Sequence, residues 1–334
     1  SLLEAKVSTA RMISPSDCKV DMPVGGWVGM VNRGTFDEWL RKRAAANGAT
    51  RATGLFKKIC RDEQPEPIVE YKDADGRMQR IRARAIIGAD GAASNVAKQS
   101  LADQGTLPNV FAYHEIVRSP EAGSDGFDPK RCDVYYQGKI SPDFYGWVFP
   151  HGAETSVGMG TAHKGFSLRG SVTKLRESAG LTDAATVRTE GAPIPLKMRK
   201  RWDNGRDVVV CGDAAGAVAP ASGEGIYYAM YSGRCASEAV VEFLESGNPK
   251  ALRLARKRFA KKHGRVFWIL GMMQKFWYSN EKRRERFVTI CKDPDVQTLT
   301  WEAYMNKRLV RAKPVAHVRI FFKDVAHLLG IAPR

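Results

Sequence analysis

Val208-Val209-Val210-Cys211-Gly212-Asp213-Ala214-Ala215-Gly216, continued by Pro220 and by Gly223-Glu224-Gly225-Ile226, is the stretch whose reading decides the fold. Three valines after Asp207 make a short, wholly apolar segment of the kind buried on both faces in a parallel sheet. The glycines that follow let backbone come close to a ligand, and Asp213, at the carboxyl end of such a strand, is placed to hydrogen-bond a ribityl or ribose hydroxyl. Gly223 to Ile226 then open a helix predicted over about 225–244, whose first amides and positive dipole end suit a developing anion. The N1/O2 edge of a reduced flavin is such an anion. Gly-Asp alone fits any strand, turn and helix, but a whole run of small residues predicts a cofactor site.

Working outward, Ala85-Ile86-Ile87-Gly88-Ala89 reads as a second buried strand, leading to Asp90-Gly91 and a helix. Residues 31–48 read as a helix, with Phe36, Trp39 and Leu40 at helical spacing and Asn47-Gly48 as the stop. Residues 54–89 alternate apolar runs with the turn Asp73-Ala74-Asp75-Gly76, as a hairpin does. From about 105 to 200 the chain is aromatic, β-branched and punctuated by glycine, the pattern of an antiparallel sheet. After Gly247-Asn248-Pro249 it is helical and basic. This order predicts an α/β domain interrupted by an inserted sheet: 1–104 as the first part of the cofactor domain, 105–200 as the sheet, 201–247 as the second cofactor segment, and 248–334 as a helical carboxyl region.

Hydrophobic residues at 43% and charged residues at 27% of 334 are those of a folded, soluble protein. No run approaches the roughly 20 apolar residues of a bilayer span, and Ser1 to Lys6 carries no secretory signal. Six cysteines, without a C-x-x-C pair or a neighbouring histidine at ligand spacing, predict reduced thiols and no metal site. The net charge of +17 is uneven: residues 250–334 hold 21 Lys and Arg against 6 Asp and Glu. That concentration points to a polyanionic partner or to a merely solvated helix. No nucleic-acid recognition motif accompanies it, so an anionic membrane surface is the partner expected.

Three motifs in order carry a resemblance. The Cys211 to Ile226 segment is similar to the second flavin motif of glutathione-reductase-like flavoproteins, and Gly88-Ala89-Asp90-Gly91-Ala92-Ala93-Ser94 resembles their Asp-Gly motif. Val31-Asn32-Arg33-Gly34-Thr35-Phe36-Asp37 resembles their V-D-R-x-x-F-D helix start, with Asn32 in place of the usual Asp. Pro142-Asp143-Phe144-Tyr145-Gly146-Trp147-Val148-Phe149-Pro150 fits the P-x-x-Y-x-W-x-F-P pattern of geranylgeranyl reductases, and Ser156 to Gly160 resembles the strand after it. Thr9 to Val20 and Arg131 to Tyr136 are similar to the bacterial photosynthetic branch of that family rather than to the archaeal lipid branch.

The resemblance implies FAD as cofactor, held by Arg33, Asp90, Gly91, Gly212, Asp213, Pro220, Gly223, Gly225 and Ile226, with NADPH as reductant. It also implies reduction of a geranylgeranyl tail to phytyl, on bacteriochlorophyll or on the diphosphate, by hydrogenating three C=C bonds. Tyr145, Trp147, Phe149 and Pro150 would wall the substrate, since a long isoprenoid gains affinity mainly by burial. Tyr145, His151 and the cysteine of the family's Cys-Gly-Gly loop are candidates for the proton donor. The G-x-G-x-x-G turn and the family's Cys-Gly-Gly loop are absent from the sequence and are expected to precede Ser1. The expected setting is the bacterial cytoplasm, peripheral on the photosynthetic membrane, beside partners in chlorophyll synthesis. A flavin monooxygenase or halogenase of the same fold is the alternative.

Overall fold

The computed structural model describes residues 2–304, apart from 103–106, 122 and 125, together with Lys307. The strands are β1 (Leu3–Ile13), β2 (Lys19–Val31), β3 (Gly54–Cys60), β4 (Ile68–Asp73), β5 (Met78–Arg82), β6 (Ile86–Gly88), β7 (Asn109–Arg118), β8 (Arg131–Tyr135), β9 (Gly146–His151), β10 (Glu154–Thr161), β11 (Thr186–Pro195) and β12 (Val208–Val210). The helices are α1 (Arg33–Ala46), α2 (Asn95–Ser100), α3 (Leu168–Ser178), α4 (Ile226–Ser246), α5 (Leu254–Trp277), α6 (Glu281–Ile290) and α7 (Pro294–Tyr304).

The valine run behaves as its composition demands. Val208, Val209 and Val210 are completely buried and pair in parallel with Ile86, Ile87 and Gly88. Gly88 is required by closeness: a Cβ there would lie 2.7 Å from the Val96 side chain of α2. Asn32 caps α1, its side chain accepting from the Gly34 amide at 2.9 Å, so the departure from Asp preserves the cap. The turn at Asp73 to Gly76 joins β4 to β5, and β3 adds a third strand to that hairpin.

The large sheet has seven strands in the order β11-β7-β10-β9-β8-β1-β2. It departs from the predicted division of the chain. β1 and β2, assigned by sequence to the cofactor segment 1–104, belong to this sheet instead, because Thr9–Ile13 pair with Arg131–Tyr135. That pairing is parallel, whereas the other five neighbouring pairs are antiparallel. A parallel pair needs a long crossover, so local patterning does not reveal it. Helix α3 covers one face with Val172 and Leu175 against Val148, Val157 and Met159. The other face meets the β12 core, α4 and α5.

The basic carboxyl region is less solvated than its charge suggests. The Arg284 guanidinium is buried and donates to the Tyr278 and Ser141 carbonyls, and Glu285 accepts from Ser14 and Ser16 at the β1–β2 turn. Phe267 and Tyr278 are core residues at 6% and 2% exposure, although sequence alone suggests an exposed aromatic group with Trp268, Phe276 and Trp277. Only Trp268, 65% exposed, stands well clear of the protein. Among the described residues no helix is long and apolar enough to cross a membrane. The last thirty or so residues of the predicted basic region, other than Lys307, lie outside the described residues.

Candidate functional site

The carboxyl ends of β6 and β12 lie side by side, and the Cys211 amide continues their ladder to the Gly88 carbonyl at 2.9 Å. Each strand end turns sharply beyond this point. After β6, Asp90 directs both carboxylate oxygens into the start of α2, accepting from the Ser94 hydroxyl and from the Asn95 and Val96 amides. Asp90 is therefore an α2 cap that places Gly91, rather than a free acceptor for a ligand. After β12, Gly212–Ala215 form a single 3₁₀ turn closed by Gly216 at φ +70°. A Cβ at Gly216 would lie 2.2 Å from the Lys197 carbonyl oxygen, so only glycine fits.

Asp213 is presented from that turn, and no donor reaches its carboxylate among the described residues. Burial pushes its pKa up, while Arg33 opposes the shift. The structure thus brings together two predicted residues 180 positions apart, with the Arg33 guanidinium also paired to Asp37 at 2.9 Å. Pro220 is buried behind the turn. Gly223, at φ +64°, leads to Gly225, which begins α4 with no side-chain cap and no acidic residue in the first turn. A half-buried acceptor without a donor, glycine-lined backbone and uncapped helix amides fit a flavin: hydroxyls for Asp213, an anionic edge for α4.

Facing this loop is the inserted sheet. Along β9 the side chains alternate, so Tyr145, Trp147, Phe149 and His151 share one face. Tyr145 donates its hydroxyl to the Ser222 carbonyl, tying sheet to loop, and its ring stacks on Phe144 at 4.3 Å. An apolar cavity of about 560 Å³ opens here, lined by Met12, Met22, Val134, Tyr136, Tyr145, Phe149 and Ile226 among others. Trp147 packs between Tyr145 and Phe149 and donates to Ser156 at 3.0 Å, backing the wall without lining it. Pro150, by strand alternation, lies on the opposite face, where it lines a polar cavity with Arg11 and Arg131 rather than the apolar one. His151 also lies elsewhere, in a separate polar cavity with Arg33, His114 and Glu190, where burial lowers its pKa.

Sequence reading passed over the contributions of β1 and β2 to this cavity, and it passed over Glu224. Glu224 was legible as the acid between Gly223 and Gly225, but its environment was not. In the fold it lines the apolar cavity and is paired with Lys307, while burial pushes its pKa up.

The chain is 52% identical over 99% of its residues to geranylgeranyl diphosphate reductase of Rhodobacter capsulatus, covering 84% of that protein. The chain belongs to the geranylgeranyl reductase family. The chloroplastic geranylgeranyl diphosphate reductase of Oryza sativa is 34% identical over 98% of the chain and 74% of its own length. No family model matches the chain. Among solved structures, a geranylgeranyl bacteriochlorophyll reductase-like protein from Thermoplasma acidophilum superposes with a TM-score of 0.73 at 21% identity, over 94% of this chain and 83% of its own. A flavin-dependent brominase superposes at 0.68 with 15% identity, over 96% and 82%, which is a likeness of fold alone. As a member of the geranylgeranyl reductase family the chain is an FAD-dependent oxidoreductase, of mixed α/β fold with a mainly antiparallel sheet and helical carboxyl region.

Proposed function

We propose that the protein reduces the geranylgeranyl group of bacteriochlorophyll, or of geranylgeranyl diphosphate, to phytyl, drawing electrons from NADPH. The observation that carries this reading is the apolar cavity, which meets the flavin-motif loop at Ala221, Ser222 and Ile226. A twenty-carbon isoprenoid has almost nothing to hydrogen-bond, and a wall of methionine, valine and aromatic rings recognises it by burial at about 0.8 kcal/mol per CH₂. FAD, when bound and reduced, would supply the hydride equivalent for saturating an alkene. Arg33, Asp213 and the α4 amides hold and orient that cofactor, while the sheet face holds the alkene and excludes water. A monooxygenase or halogenase would share the cofactor residues, and nothing in the cavity favours it.

The deciding experiment supplies the full-length, anaerobically reduced enzyme with geranylgeranyl bacteriochlorophyll and, separately, with the diphosphate. Phytyl product from either, with flavin reoxidation, is expected. Absence of saturated product from both would overturn the reading.

The outer face of α5 supports peripheral membrane binding on the photosynthetic membrane. Lys257, Lys261, Arg265, Trp268, Met272 and Lys275 are all exposed and recur at helical spacing along one stripe. Basic residues flanking an exposed tryptophan and methionine suit an anionic bilayer surface, each cation contributing about 1 kcal/mol. Vesicle co-sedimentation of the full-length protein is expected to show binding to anionic but not neutral lipid, weakening as salt rises. Equal binding to both lipids would remove the electrostatic basis.

A further inference from the structure

Among the described residues that line the large cavity, Glu224 alone carries a carboxyl or other formally charged side chain. The other acidic groups on the lining are phenols and a thiol. Burial pushes Cys132 up to about 12 and Tyr145 higher still, and the Tyr145 hydroxyl is already committed to the Ser222 carbonyl. His151 opens on a different cavity. Among the described residues this carboxyl group is by far the strongest acid that reaches the space.

Its surroundings are unusual for a carboxylate. Glu224 accepts from the Lys307 ammonium, itself only 8% exposed and set against the rings of Tyr227 and Tyr228 at 5.7 and 5.4 Å. Among the described residues Tyr145 and Tyr228 also act on it, Tyr227 lines the same cavity, His263 lies behind Tyr227 within reach of the Lys307 charge, and Asp213 lies beside Gly225. Burial raises the Glu224 pKa and lowers that of Lys307, so the two move toward each other.

We propose that Glu224 is the proton donor to the substrate alkene and that Lys307 is the positioning residue that reloads it. The inference rests on the geranylgeranyl-reductase reading of the cavity. An ion pair in a water-containing cavity is tolerable. Once a hydrocarbon chain fills the space and expels water, charge separation becomes costly and the proton moves from the ammonium to the carboxylate, leaving a neutral acid beside a neutral amine. Substrate binding therefore arms the acid. In the step itself the O–H bond of Glu224 breaks and a C–H bond forms at one alkene carbon, while hydride from the reduced flavin forms the second C–H bond. The alkene gains two electrons, the flavin loses two, and Glu224 is left as carboxylate beside a neutral Lys307 amine, which takes up one proton from water when the product leaves and so restores the ion pair for the next round.

The test uses the full-length, FAD-loaded enzyme and its Glu224→Gln and Glu224→Asp variants. With flavin reduced anaerobically and mixed with a geranylgeranyl substrate, flavin reoxidation in Glu224→Gln is expected to slow by about 10²- to 10⁴-fold, the usual worth of a general acid. Flavin content and substrate affinity are expected to stay at the wild-type level, and Glu224→Asp is expected to keep an intermediate rate. A second reading needs no turnover: binding of an unreactive, fully saturated phytanyl analogue is expected to raise a protonated-carboxyl band in the infrared difference spectrum of wild type, absent from Glu224→Gln. Reoxidation of Glu224→Gln within about threefold of wild type, a loss of affinity at unchanged rate, or no carboxyl band in wild type would each overturn the assignment. Wild-type enzyme inert toward every geranylgeranyl substrate would instead overturn the function on which it rests.

Discussion

Asp213→Ala in the full-length enzyme is expected to weaken flavin binding by roughly 10- to 100-fold, corresponding to the ~1.5–3 kcal/mol of a charge-assisted hydrogen bond in a partly buried site. The carboxylate sits at the carboxyl end of a fully buried strand, is held up by the 3₁₀ turn, and has no donor among the described residues. Its removal leaves a ligand hydroxyl without an acceptor. Nothing in the protein loses a bond, so fold stability is expected to change little. Titration of apo-enzyme with FAD, read alongside thermal unfolding, separates the two: an unchanged dissociation constant would remove Asp213 from the cofactor site.

Trp202→Ala is expected to cost about 3–5 kcal/mol of stability, the range for emptying a buried tryptophan site. Trp202 is completely buried, packs its ring 5.1 Å from Phe259 of α5, and accepts the Val210 amide through its carbonyl at 2.7 Å. It is the wedge between β12 and the basic helix, so the cavity left behind would loosen α5 from the cofactor core. The indole N–H makes no hydrogen bond among the described residues. Trp202→Phe is therefore expected to cost distinctly less, since only volume is lost. Thermal unfolding of both variants checks this, and equal losses would show that the indole N–H matters.

The cofactor half of the site was readable because its requirements are local. A valine run, an acid just beyond its end and glycines at the tight places sit within about twenty consecutive residues, and chemistry that needs close backbone approach leaves small residues in order. Arg33 was readable for a similar reason, as the first residue after a helix cap. Asp90 shows where this ends: the motif was recognised, but whether its carboxylate faces ligand or caps α2 depends on the turn geometry between residues 90 and 96.

The substrate half was only partly readable. The spacing Tyr145, Trp147, Phe149 marks one strand face, yet Pro150 falls to the other face by the two-residue period, and His151 reaches a different cavity. The parallel pairing of β1 with β8, and hence Met12, Met22 and Val134 meeting in one cavity, joins residues more than 100 positions apart. Glu224 and Lys307, 83 positions apart, likewise meet only in the folded chain.

By itself, then, the sequence determined the family, the cofactor loop and the helical, basic character of the carboxyl region, because each is written in short-range composition and spacing. Only the tertiary structure decided which strands share the sheet, which side chains enclose the cavity and which carboxyl group faces it. Those are long-range matters: a solvent-excluded space exists only once distant segments have packed, and burial within that space is what pushes the Glu224 pKa up.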